Sequence, residues 1–205
     1  MARLPSRLWA LHDHLQSLQS LEPAGHLDRC FLRSDRFDRH GRNSGSRFHA
    51  HQSSPLCRRR KRGAFHNAIG RSRGGRTTKI HALTNEQGRP LAFQLTPGNA
   101  HDLAGARALL AIVSCPRRLI ADRAYDARSL RDWLTEHGAD AVIPPNPTRK
   151  HPHPYNAEAY KSRNLIERMF CRLKDFRRIA TRYDKLARNF LASILIAAAI
   201  TWWLN

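Results

Sequence analysis

The sequence predicts an α/β domain in which helices flank a mixed sheet. Runs rich in β-branched and apolar residues at 77–84 and 90–96 flank the turn sequence Asn85-Glu86-Gln87-Gly88, which predicts a β-hairpin. Beyond the hairpin, short apolar segments alternate with segments of helical periodicity. This alternation is typical of sheets covered by helices.

The elements predicted after the hairpin are, in order, helix 103–113, strand 117–121, helix 127–137, strand 139–143, helix 157–179 and helix 184–203. Asp102 is the expected N-cap of the first helix, and Asp126 is expected to start the second. A ribonuclease H-like domain has this order once its first, central strand is removed. The expected fold is therefore ribonuclease H-like without a proper first strand.

Residues 1–60 do not resemble a folded domain, because their apolar residues follow neither a period of 2 nor one of 3.6. Seven of the twelve histidines lie in the first 66 residues, but none are spaced i, i+4, which disfavours a metal-binding cluster. We expect an irregular, basic and His-rich segment at 1–60, and a domain at 61–205. A protease-resistant N-terminal domain would contradict this division.

The charge balance indicates a polyanionic partner. The chain has 36 Lys and Arg against 16 Asp and Glu, a net charge of +20, and nucleic acid is the partner that this excess favours. Residues 58–76 are basic and glycine-rich, so Arg71 and Arg73 are candidate contacts for DNA phosphates. A solvated basic loop is the alternative.

The remaining composition argues against secretion or membrane insertion. The four cysteines are scattered, which favours free thiols in a reducing compartment, the cytoplasm. No signal peptide is visible, and the most apolar run, 191–204, is shorter than the roughly 18 to 20 residues that cross a bilayer. We expect this run to form a buried C-terminal helix, with Trp202 and Trp203 packed against the domain.

The segment YKSRNLIERMFCRLK at 160–174 has the pattern of an amphipathic helix. At about 100° per residue, Tyr160, Arg163, Glu167 and Lys174 lie within roughly 60° of one another on one helix face. A carboxylate between two cations and a phenol suits a metal ion and a polyanion at one place. The alternative is an ordinary helix with an i, i+4 Arg/Glu pair.

The same spacing resembles the motif around the third catalytic acid of DDE-type transposases of bacterial insertion sequences, in the group named after insertion sequence five. The stretches AIGRSRGGRTTKIHALTNEQGRPLAFQLTPGNAHD and LIADRAYDA also resemble that family, in the expected order, from about Lys61 onward. The resemblance implies a DNA-cleaving and DNA-joining enzyme that acts on duplex DNA at insertion-sequence ends and on a target. It also allows a homodimer in the active synaptic complex.

By this resemblance, Asp122 and Glu167 are the second and third catalytic acids and metal ligands. Two Mg²⁺ (or Mn²⁺) ions serve phosphodiester chemistry by activating the attacking oxygen and stabilising the leaving one, and they need carboxylates from separate elements. Arg163 and Lys174 would hold phosphates, and Tyr160 would position the backbone or the helix. For Asp122, a strand-end cap is the alternative.

The first catalytic acid has no clear counterpart in the sequence. Asp35 and Asp38 lie near the expected position, but in the sequence RSDRFDRHG, where an apolar strand is expected. A two-metal site without one of its carboxylates should be severely impaired.

The genetic code offers an explanation for the N-terminal segment. The peptide HDHLQSLQSLEPAGHLD can be encoded by nucleotides that, read one position later, give TTIYNRFNRWSRQGIW, which is similar to the DNA-binding segment of the same family. The same shift at residues 36–39 can give Asp-Ser-Thr, the triplet of the first catalytic aspartate. We therefore hypothesise that residues 1 to about 60 are translated out of frame, which the codons of the gene would decide.

Two functions remain open from the sequence alone: an impaired DDE transposase, and a non-catalytic basic nucleic-acid-binding protein. Ordered acids at Asp122 and Glu167 favour the first, because binding by charge alone does not require them. A ribosome-associated or chromatin-like structural protein would have lysine-rich repeats, and the sequence has none.

Overall fold

The computed structural model describes residues 28–38, 67–72 and 75–204. Within these residues the strands are β1 (Cys30–Asp38), β2 (Gly70–Ser72), β3 (Gly75–Thr84), β4 (Pro90–Pro97), β5 (Arg118–Ala121) and β6 (Asp140–Val142). The helices are α1 (Asp102–Leu110), α2 (Arg128–Glu136), α3 (Ala157–Lys161), α4 (Asn164–Asp175), α5 (Arg177–Ala180) and α6 (Ala187–Trp202).

The strands form one mixed sheet with β1 at its centre. The strand order is β2-β3-β1-β5-β6, and β4 pairs with β3. β1 runs antiparallel to β3 and parallel to β5, and β5 runs parallel to β6. A hairpin on one side of a central strand and parallel strands with helical connections on the other is the ribonuclease H-like arrangement, so the predicted fold class is confirmed.

The expected absence of a first strand is wrong. Cys30, Phe31 and Leu32 are almost fully buried in β1 between its two neighbours. The sequence of β1 lacks an apolar alternation because Arg33 and Asp35 point toward α4, where each finds an ion-pair partner. The sheet therefore extends upstream of residue 61, and the rest of the proposed division at 60/61 stays a prediction.

The hairpin is confirmed, and its turn depends on an asparagine and a glycine. The side-chain oxygen of Asn85 accepts hydrogen bonds from the backbone N–H groups of Gln87 and Arg89. Gly88 has φ = +77°, a left-handed conformation that glycine adopts at little cost. The turn fixes the register in which β4 pairs with β3.

Each face of the sheet carries its own apolar core. On one face, α4, α5 and α6 pack over side chains of β1, β3 and β5; we call this the α4 face. On the other, α1 and α2 cover the alternate side chains of the same strands; we call this the α1 face. Because side chains alternate along a strand, Arg33 and Asp35 project toward the α4 face and Ser34 toward the α1 face.

Two helix boundaries differ from prediction at the N-terminal end. The N-cap of α1 is His101, whose ring accepts a hydrogen bond from the N–H of Leu103. Asp102 is instead the first helical residue. Asp126 does not cap α2 but accepts hydrogen bonds from Arg131 and Arg149, which joins the start of α2 to the 144–154 loop.

The predicted helix 157–179 is divided into α3, α4 and α5. Ser162 and Arg163 form a tight turn between α3 and α4, and Phe176 is extended between α4 and α5. The final helix α6 is confirmed, with Trp202 packed on the α4-face core. Trp203 is 45% exposed and lies 5.8 Å, from ring centroid to Cζ, from the guanidinium of Arg89, so it meets the domain at its surface and not in its core. Among the described residues, no helix is both long and apolar enough to cross a bilayer.

Candidate active site

Asp122 lies at the carboxyl end of β5, beside the central strand. Leu32 of β1 pairs with Ala121 of β5, so Arg33 and Asp122 are the next residues on two adjacent parallel strands. The Asp122 carboxylate accepts a hydrogen bond from the N–H of Ala124 at 3.0 Å and caps the short 3₁₀ turn Arg123–Tyr125. The strand-end cap considered from the sequence is therefore real, and it fixes the orientation of this carboxylate.

The groups around Asp122 shift the pKa of its carboxyl in opposite directions. Burial raises the pKa of its carboxyl above the ordinary value. The Ala124 N–H and the Arg33 and Arg163 guanidinium groups each lower this pKa, and the Asp102 carboxylate raises it. Asp122 is thus half-buried, and the charges of two arginines act on its pKa.

Glu167, on α4, binds the same two arginines. Its Oε1 atom is 2.5 Å from Nη1 of Arg33 and 2.8 Å from Nη2 of Arg163. The charges of both arginines also lower the pKa of Asp122, which lies beside Arg33 on the adjacent strand. Arg163 and Glu167 are i, i+4 neighbours that the sequence predicted; Arg33 is separated from Glu167 by 134 positions.

Arg33 is the residue that sequence reasoning missed. Its side chain is 26% exposed, and its Nε atom is buried without a hydrogen-bond partner among the described residues. The family resemblance predicts the first acid on this same strand, near Asp35 and Asp38, and assigns no role to Arg33. The one available signal was the apolar triplet Cys30–Leu32 just before it, which can begin a buried strand.

Tyr160 lies beside the acids although the helix breaks between it and Glu167. Its ring lies under the guanidinium of Arg163, 5.2 Å from ring centroid to Cζ, and meets Tyr155 edge to face. The two rings line a cleft of about 340 Å³ together with Asp122 and the residues Arg123, Ala124 and Pro144. An aromatic cleft beside cations suits a nucleic-acid sugar or base.

Lys174 lies two turns along α4 from Glu167 and binds Asp35, with 2.6 Å between Nζ and Oδ2. Asp35 is two residues beyond Arg33 on the same face of β1, so strand and helix are joined by two ion pairs of opposite polarity. Asp35 is therefore neutralised by a cation of α4. The side chain of Asp38 lies outside the described residues.

Arg71 is not brought to the acids. It is exposed on β2, and the strands β3 and β1 lie between β2 and β5. Arg73 lies outside the described residues. Arg71 can therefore contact DNA only at a distance from Asp122, on a separate part of the surface.

Asp102 is a further carboxylate near the site, on the α1 face. It accepts hydrogen bonds from Lys79 at 2.9 Å and from Ser34 at 3.0 Å. Lys79 is 6% exposed and also donates to the carbonyl of Ala100. Asp102 is therefore neutralised by a buried lysine and separated by the sheet from the two arginines.

The residues present do not fit a divalent metal. Mg²⁺ takes oxygen ligands at about 2.0–2.1 Å in near-octahedral geometry, whereas the described acids are held by cations: Glu167 by Arg33 and Arg163, and Asp35 by Lys174. Within the described part of the chain, no three His, Cys, Asp or Glu side chains are grouped so as to hold a metal ion. The side chain that reaches Glu167 from the central strand is a guanidinium, that of Arg33, and not a carboxylate.

Comparison with known proteins identifies relatives. A family model described as Transposase DDE domain matches residues 45–202, a span that begins after β1. The chain is 39% identical over 127 residues to a Brucella ovis protein named as a transposase for insertion sequence element IS6501, covering 62% of this chain and 98% of that one. It is 28% identical to a Burkholderia cepacia protein named as a transposase for insertion sequence element IS402, covering 67% of each chain.

Solved structures give only distant likenesses. The simian T-cell lymphotropic virus intasome, in complex with PP2A regulatory subunit B56 gamma, matches with a TM-score of 0.49 and 12% identity over 88% of this chain and 50% of that chain. The Mos1 strand transfer complex matches with a TM-score of 0.35 and 10% identity over 97% and 61%. The strand order itself establishes the fold.

Proposed function

Because the chain belongs to the transposase DDE domain family, we propose that it is the DNA transposase of an insertion sequence, impaired in strand cleavage by its own N-terminal segment. Asp122 and Glu167 are the second and third acids of its site. The observation that carries the proposal is the pair of guanidinium groups that bind Glu167, one of them from Arg33 on the strand beside Asp122. The family resemblance requires a first acid on β1 as well, and the side chain that β1 directs to Glu167 is a cation.

The partner is duplex DNA, both the insertion-sequence ends and the target. The net charge of +20 supplies the attraction. Arg163 and Lys174 contact phosphates near the cleft, and Tyr160 supports the backbone. Arg71 binds DNA at the far edge of the sheet, and Arg73 is a further DNA contact. Members of this family use a divalent metal; in a repaired site it is Mg²⁺ or Mn²⁺. The active synaptic complex is a homodimer, and the reaction takes place in the cytoplasm.

Salt dependence tests the DNA-binding half of the proposal. Contacts between several Lys or Arg side chains and phosphates should lower the affinity by about 10³ or more between 50 and 200 mM salt. The measurement is a fluorescence anisotropy titration of a labelled duplex at several salt concentrations. A flat response would remove the electrostatic argument.

A nicking assay tests the catalytic half. Strand cleavage of duplexes that carry the insertion-sequence ends, in Mg²⁺, should be undetectable for this chain and should appear when residues 1–60 are replaced by the adjacent-frame translation. Glu167→Gln in the replaced chain should abolish it again. Cleavage by the unaltered chain that disappears in Glu167→Gln would instead mean that the first acid is supplied by Asp35 or Asp38, the next residues to change.

A non-catalytic nucleic-acid-binding protein is the second candidate, favoured by the cations that already neutralise Glu167 and Asp35. The two candidates differ in the replaced chain. If its fold is intact and its DNA affinity unchanged but no end is cut, binding alone is the function.

A further inference from the structure

The site of Asp122 and Glu167 contains a cation that belongs to the chain. Arg33 extends from the central strand to Glu167 on α4, and its charge lowers the pKa of Asp122. Arg163 reaches Glu167 from one helical turn away, as an ordinary surface pair does. Of the two arginines, only Arg33 comes from the strand adjacent to Asp122.

The position of Arg33 opposes the binding of a metal ion at Oε1 of Glu167. With Nη1 at 2.5 Å from Oε1 of Glu167, the guanidinium lies where a metal bound to that oxygen would place its own coordination shell. A metal ion there would also be repelled by the two guanidinium groups that already bind Glu167.

The buried Nε of Arg33 separates this contact from a pair selected for stability. A guanidinium built into a fold has its N–H groups satisfied, since an unpaired buried donor costs free energy. Nε is buried without a partner among the described residues. The guanidinium therefore pairs with Glu167 through Nη1, whereas its Nε donor has no described partner.

We infer that Arg33 is an internal substitute for the divalent ion, so that Glu167, with Asp122 on the adjacent strand, meets a guanidinium in place of a metal. The inference relies on the proposed function for the role of these two acids, but not on DNA binding or cleavage. If the inference is right, one side chain, that of Arg33, prevents the site from binding a metal ion. Replacing that side chain with a carboxylate should restore three acids at the junction of β1, β5 and α4.

Binding of Mn²⁺ to the full-length protein, measured by electron paramagnetic resonance of the free ion, is the test. The unaltered chain should show no Mn²⁺ site with a Kd below about 1 mM. Arg33→Asp should acquire one site that binds at least about tenfold tighter, and adding Glu167→Gln to Arg33→Asp should remove it. Arg163→Gln is the matched control: it also takes one arginine from Glu167 but leaves Arg33 in place, so it should gain no site.

Two results would overturn the inference. One is a Mn²⁺ site in the unaltered chain that Glu167→Gln abolishes. The other is an Arg33→Asp protein with an unchanged circular dichroism spectrum and no gain in Mn²⁺ binding. If Arg33→Asp does not fold, Arg33→Gln decides: it must bind Mn²⁺ more tightly than both the unaltered chain and Arg163→Gln. Failure of DNA to bind would contradict the proposed function and leave this inference standing.

Discussion

Two arginines on the α4 face of the sheet serve different purposes. Arg182 is 1% exposed, and its guanidinium is surrounded by acceptors and an aromatic ring: the carbonyls of Asn67, Ala68, Asp184 and Lys185, the hydroxyl of Thr78, and the ring of Phe190. Arg33 is partly exposed, binds a carboxylate, and has a buried Nε without a described partner. Arg182 thus joins three segments of the fold, whereas Arg33 serves the site.

The largest effect should come from Arg182→Met. The substitution keeps the aliphatic stem but leaves several buried carbonyls without a donor. The free energy of unfolding should therefore fall by about 3–5 kcal/mol. Urea unfolding followed by circular dichroism would measure this. A change below about 1 kcal/mol would show that the network around Arg182 does not stabilise the fold, and the contrast between the two arginines would then disappear.

The α1 face also buries a basic side chain, a histidine, and the fold keeps this side chain uncharged. His81 is fully buried, with Nδ1 at 3.1 Å from the hydroxyl of Tyr125 and Nε2 at 2.8 Å from that of Thr96. Burial lowers its pKa to about 4; Asp102 opposes this shift and Lys79 adds to it. Unlike Arg182, the imidazole can escape the cost of a buried charge by losing its proton.

The pH dependence follows from that shift. The unfolded chain binds a proton at His81 below about pH 6.5, whereas the folded chain does so only below about pH 4. Stability should therefore fall as the pH drops from 6.5 to 4, by about 3 kcal/mol from this residue. His81→Gln should flatten the curve in that window relative to the unaltered chain. Parallel curves for the two proteins would contradict the assignment.

The sequence predicted the parts of the fold that depend on local signals. The hairpin was found from its Asn85–Gly88 turn, and Asp122 from the apolar strand before it. β1 was missed because the partners of Arg33 and Asp35 lie on α4, far along the chain. A charged residue argues against a buried strand unless the position of its ion-pair partner is known.

The remaining misses have the same origin. Arg182 looks like a surface residue because nothing in the sequence indicates that Asn67 and Ala68 will meet it. The break at Ser162 carries no proline or glycine signal, so the pattern alone predicted one continuous helix. Tyr160 nevertheless reached the site by stacking under Arg163, for a reason other than the predicted helix face.

The smallest effect should come from Arg33→Met, the same substitution at the other arginine. The ion pair that it removes is about one-quarter exposed at Arg33 and 38% exposed at Glu167, so solvent screens it, and pairs of this kind contribute about 0–1 kcal/mol. The methionine also removes the buried Nε donor, which offsets part of that loss. Glu167 keeps Arg163 as a partner, so no bare carboxylate remains. Urea unfolding should therefore show a change within about 1 kcal/mol for Arg33→Met, under the conditions in which Arg182→Met loses several. A loss at Arg33 as large as that at Arg182 would mean that the contact between β1 and α4 exists for stability, and that both arginines belong to the fold.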